Sequence, residues 1–60
     1  MALIYHGKKN NGTEVCLWQD HTAKLPFVVG YRFGNEGSYR TLLTCDSMKD
    51  AYSYYNELLA

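Results

Sequence analysis

Apolar and polar positions alternate in short runs through most of the chain, and the period changes near its end. Met48, Ala51, Tyr52, Tyr55, Leu58 and Leu59 recur at three- and four-residue steps, a spacing that gathers side chains on one face of a helix. Lys49, Asp50, Ser53, Asn56 and Glu57 fall opposite, and Tyr54 falls off the stripe, at the surface or the helix flank. Ser47 with Asp50 three residues on resembles a capping box: the hydroxyl accepts from a first-turn amide and the carboxylate offsets the positive end of the helix dipole. The spacing thus predicts a helix over Asp46 to Leu59, starting near Ser47 and burying Ala51, Tyr55 and Leu58.

Upstream the period is that of strands. Ala2 to Lys8 and Thr13 to Asp20 are separated by Lys9-Asn10-Asn11-Gly12, where Asn and Gly supply the positive-φ positions of a hairpin turn. A three-residue turn closed by Gly12 sets Lys8 against Glu14, His6 against Cys16, Tyr5 against Leu17 and Ile4 against Trp18. Leu3, Tyr5, Val15 and Leu17 then share one face, and Ile4, His6, Cys16 and Trp18 the other. A two-residue Asn11-Gly12 turn would move the pairing by one.

Asp20 to Pro26 has no period and ends in the single proline, which reads as a loop or a single helical turn. Phe27 to Phe33 and Ser38 to Cys45 follow as a second hairpin around Gly34-Asn35-Glu36-Gly37. The same turn rule sets Phe33 against Tyr39, Tyr31 against Thr41, Val29 against Leu43 and Phe27 against Cys45. That apolar set is the face the helix is expected to cover.

The expected fold class is α+β: a small antiparallel sheet of four strands, in two hairpins, with one C-terminal helix packed on one face. Residues 1–60 form a single domain, with no composition break or low-complexity tract. A chain of this size buries a modest share of its surface, so its core is small and self-association is expected. Six of the nine aromatic residues are tyrosine, which combines apolar area with a polar tip.

Six Lys and Arg balance six Asp and Glu, so no global field draws the chain to nucleic acid or to an anionic membrane. No apolar run approaches a membrane span, and the opening residues do not read as a signal peptide. A cytoplasmic location is expected, with Cys16 and Cys45 as reduced thiols. Asn11-Gly12-Thr13 matches a glycosylation acceptor and is read as a turn. Gly34 to Gly37 lacks the spacing of a phosphate loop.

Candidate chemistry is sparse. His6, Cys16, His21 and Cys45 are ligand types for zinc, but they form no paired ligand motif and their expected positions are divided between the two faces. No metal or cofactor is expected. Cys16 beside His6 is the nearest approach to a nucleophile and base, without a carboxylate predicted to orient the histidine. The chain is accordingly read as a non-enzyme.

What distinguishes the sequence is its second sheet face, which is not fully polar. Ile4, Trp18, Val28 and Leu42 are predicted on the side without a helix, with Arg32 and Arg40 directly opposite one another among them. Uncovered apolar positions of this kind point to a protein partner or to self-association, in the manner of a small adaptor or inhibitor. The two sheet edges offer strand addition as a second mode. Two arginines in cross-strand register require neutralisation, by Glu14, Asp20 or Glu36 or by an anionic ligand. The alternative function is therefore nucleic-acid binding, with Trp18 stacking bases while Arg32 and Arg40 hold phosphates.

Overall fold

The computed structural model describes residues 1–34 and 37–60. Four strands, β1 (Ala2–Lys8), β2 (Thr13–Gln19), β3 (Phe27–Phe33) and β4 (Arg40–Cys45), precede a single helix, α1 (Met48–Leu59). The strands form one antiparallel sheet in the order β1-β2-β3-β4, and α1 lies across one side of it. The expected fold is the observed one. Asp20 to Pro26 joins adjacent strands rather than crossing the sheet. It is held by the Asp20 carboxylate, which accepts from the backbone N–H and hydroxyl of Thr22 at 3.1 and 2.8 Å.

The first turn closes as the sequence predicts. Gly12 adopts a φ of 92°, the left-handed conformation that glycine enters without strain. The Lys9 N–H donates to Thr13 O at 2.8 Å, and Lys8 stands opposite Glu14. The second turn lies partly outside the described residues, since Asn35 and Glu36 are not among them.

Ser47 caps α1, its hydroxyl accepting from the Asp50 N–H at 3.2 Å. The core gathers Val15 and Leu17 of β2, Val29 of β3, and Ala51 and Tyr55 of α1. Leu58 is half-buried against it. The buried stripe is rotated relative to the expected one: Tyr54 packs against the core, whereas Tyr52 is 41 % exposed. Tyr54 lies about 60° round the helix from Ala51 and Tyr52 about 100° the other way, so a stripe centred on Ala51 takes in the first more readily. Tyr52 instead flanks Tyr5 of β1, ring centroids 5.1 Å apart. At Gly7 of β1 an added Cβ would stand 2.7 Å from the Leu59 methyls of the helix.

Two β-bulges alter the predicted register. In β1, Tyr5 pairs with Leu17 and Leu3 with Trp18, which leaves Ile4 as the extra residue. In β4, Leu43 pairs with Val29 and Thr41 with Gly30, which leaves Leu42 as the extra residue. A bulge sets two consecutive residues against one and shifts everything beyond it by one place. Ile4 therefore packs against the core beneath the helix rather than on the open face. Leu42 lines a helix-side cleft with Val15, Tyr31 and Leu58. Arg40 stands opposite Tyr31, on the helix side of the sheet, and not opposite Arg32.

Candidate functional site

The sheet face away from α1 is built of three cross-strand rows. Leu3, Trp18, Val28 and Thr44 form the first, one residue from each strand. His6, Cys16, Gly30 and Thr41 form the second. Lys8, Glu14 and Arg32 begin the third, which Tyr39 completes by lying beneath the Arg32 guanidinium, 4.7 Å from ring centroid to Cζ. One end of the face is apolar and the other is charged.

Glu14 organises the charged end. It is only 6 % exposed, a burial that a carboxylate tolerates when it is paired and hydrogen-bonded. One oxygen accepts from Arg32 Nε at 2.8 Å, and the other meets His6 Nε2 at 2.9 Å. Arg32, and after it His6, hold the Glu14 carboxyl below its usual range, while the same carboxylate raises Arg32. Of the acids expected to neutralise the arginines, Glu14 serves Arg32. The predicted Arg32–Arg40 opposition is absent because the Leu42 bulge carries Arg40 to the other face.

Cys16 lies at the centre and is almost fully buried. Burial pushes its thiol up, against a hydrogen bond from the Tyr39 hydroxyl. That same bond, together with burial, pushes the Tyr39 hydroxyl up to about 12. Trp18 leans over Gly30, whose added Cβ would stand 2.9 Å from Trp18 Cζ3 and 2.7 Å from the Arg40 carbonyl oxygen. The Tyr39 and Trp18 rings meet edge to face at 4.9 Å. A Gly at position 30 thus lets the only tryptophan lie flat, and Tyr39 closes over the thiol from the β4 side.

The structure brings together three of the six sequence-predicted partner residues, Trp18, Val28 and Arg32, on this open face. Ile4, Leu42 and Arg40 are on the helix side. Sequence reasoning missed Leu3, 57 % exposed, which takes the place expected for Ile4, and Tyr39. Because Trp18, Arg32 and Arg40 do not share a face, the base-stacking, phosphate-holding arrangement is not assembled by these residues. Glu14 is the carboxylate beside His6 that the sequence did not supply, but it reaches Nε2 while Cys16 bonds with Tyr39.

Among the described residues, no three His, Cys, Asp or Glu side chains gather as a metal site, and no helix is long and apolar enough to cross a membrane. Both cysteines are free thiols, Cys16 on the open face and Cys45 facing the helix side opposite Phe27. Comparison with protein-family models, with curated proteins and with solved structures finds no match.

Proposed function

We propose that the chain is a non-enzymatic protein-interaction module, of adaptor or inhibitor kind, which engages its partner through the open sheet face. The observation that carries this reading is the row Leu3-Trp18-Val28, apolar side chains on three neighbouring strands with no element of the chain laid over them. Partner sites commonly join such an apolar centre to a polar rim, and tryptophan, tyrosine and arginine are the residue types that dominate their energetics. All three types are on this face.

The chemistry of Cys16 supports the non-enzymatic part. A nucleophilic cysteine needs its thiolate and access to substrate; this thiol is buried, raised by burial and closed over by Tyr39. The Glu14 carboxylate is shared between His6 and Arg32, where it serves cohesion of the face.

Capture of partners from the cells that make the protein tests the reading, with the tagged parent chain compared with two variants. Leu3→Glu places a charge at an exposed position of the apolar row, and Phe33→Glu places one at the 67 % exposed Phe33 on the helix side. Proteins retained by the parent and by Phe33→Glu, and lost with Leu3→Glu, are the expected result. Equal retention by the parent and Leu3→Glu would exclude the open face.

A further inference from the structure

We infer that the helix-side cleft is a binding site for a small apolar monocarboxylate, a short alkyl chain carrying one anionic head. The cleft follows from how α1 crosses the sheet. The helix starts just beyond the end of β4 and finishes with Leu59 against Gly7 of β1. It therefore runs obliquely, and the corner where β3 ends and β4 begins stays uncovered: Phe33 is 67 % and Leu42 42 % exposed there. Between that corner and the end of the helix lies a cleft of about 330 Å³.

Its lining has the composition of a ligand site. Val15, Leu42, Leu58 and the Tyr31 ring make the walls apolar. The polar groups that its lining residues carry are the Lys9 ammonium and the hydroxyls of Thr13 and Tyr31. All three can donate, and no lining residue is an acid. Small-molecule sites commonly join such an apolar lining to a few polar groups that fix the orientation of the ligand. Lys9 is half-buried although it stands in a turn, as a lysine is when its alkyl stem covers apolar surface and its head stays in water. Both ion pairs among the described residues belong to Glu14 on the other face, so no acid among them neutralises Lys9.

Charge decides the class of ligand. One cation lines the cleft, and it matches one negative charge. A phosphate dianion calls for more than one, and Arg40, the next cation, lines an adjoining hollow that shares Tyr31 with the cleft. A carboxylate has lone pairs for the ammonium and for both hydroxyls, and its hydrogen bond to an ammonium is charge-assisted. The volume is near the lower end of the roughly 300–1,000 Å³ of ligand clefts, which limits the apolar part to a short chain. A cleft that holds so few ligand atoms and stands open to solvent gives a dissociation constant on the order of 0.1–1 mM.

Titration of the pure protein with sodium octanoate, followed by amide and methyl NMR shifts, tests the site, with octanamide as the uncharged probe of the same shape. Octanoate is expected to shift the Val15, Leu42 and Leu58 methyls in a saturable way. Lys9→Gln should weaken octanoate at least about fivefold, the loss of a charge-assisted bond, and leave octanamide unchanged. Lys24→Gln, in the loop between β2 and β3, should bind octanoate as the parent does. Leu42→Ser should weaken both probes. Leu3→Glu, on the opposite face, should affect neither, so the cleft and the proposed partner face are tested independently.

Absence of saturable methyl shifts up to about 10 mM octanoate, well above the expected constant, overturns the site. Shifts centred on Trp18 instead overturn its placement. A Lys9→Gln protein that loses octanoate and octanamide alike, or neither, overturns the role of the ammonium, and tighter binding of octyl phosphate than of octanoate overturns the monocarboxylate as the class of ligand.

Discussion

Truncating Tyr55 to alanine is the most direct test of how the helix is held. Tyr55 is 5 % exposed, belongs to the buried cluster, and carries its ring within 5.8 Å of Tyr5 and 6.3 Å of Tyr52 between centroids. Burial alone is the leading cause of its raised hydroxyl pKa. Removing a buried aromatic ring costs about 3–5 kcal/mol in well-packed cores, part lost burial and part residual cavity. At about 0.05–0.15 kcal/mol per residue, a domain of this length holds roughly 3–9 kcal/mol in all. Tyr55→Ala therefore removes between a third and all of the stability.

Urea unfolding, followed by Trp18 fluorescence and by circular dichroism at a fixed protein concentration, reads the change as a shift of midpoint. In heat, a loss of about 3 kcal/mol lowers Tm by 12 °C or more in so small a domain. Tyr52→Ala, on the exposed flank of the same helix, is the control and should cost less than half as much. A Tyr55→Ala protein that unfolds with the parent's midpoint and slope would show that α1 is not anchored through this ring. It would also undo the assignment of the buried stripe.

Three further outcomes follow from the open face. Glu14 has a depressed pKa in the fold, so its contribution is present above the ordinary carboxylate range and is lost as pH falls through the folded value; Glu14→Gln should lower Tm at neutral pH and flatten its fall between about pH 5 and pH 2, and a parallel pair of curves would contradict the pairing. Cys16, buried and raised, should alkylate with iodoacetamide far more slowly than the half-buried Cys45, as peptide mapping of a time course at neutral pH would reveal, and equal rates would mean that Tyr39 does not close the site. Gly30→Ala should destabilise by about 1–3 kcal/mol, as overpacking does, because its Cβ would meet the Arg40 backbone as well as Trp18; Gly7→Ala should cost less, because the Leu59 and Tyr55 side-chain ends that it meets can move, and the reverse order in urea would refute both placements.

The fold was legible where the pattern of alternation carried a polar marker. Along β2, Glu14, Val15, Cys16 and Leu17 alternate in kind, and the register they imply with Lys8, His6 and Tyr5 is the observed one. The helix start was equally legible, because Ser47 and Asp50 have a local role that no tertiary contact needs to supply. The bulges were not legible. Leu3-Ile4-Tyr5 and Leu42-Leu43 are uninterrupted apolar runs, so either neighbour can face the core without a polar residue being buried, and the sequence does not mark which residue is extra. One extra residue at Leu42 was enough to separate Arg40 from Arg32 and to dissolve the expected like-charge pair. Glu14 left a clearer trace. An acid placed in cross-strand register with cations on both sides signals a shared carboxylate, and only the β2–β3 pairing was missing from the sequence reading.

The same two bulges bear on how the protein can meet a partner. β1 and β4 are the edges of the sheet, and each carries its irregularity there, at Ile4 and at Leu42. An edge strand that is bent and locally unpaired is a poor template for strand addition, and bulges at edges are among the devices that keep sheets from joining side to side. The first bulge also turns Ile4 against the small core, while the second leaves Leu42, 42 % exposed, on the rim of the helix-side cleft. The edges are thereby blunted, while the open face keeps Trp18 and Val28 on unbroken β2–β3 pairing. Edges blunted in this way are in keeping with the proposed contact through the face of the sheet.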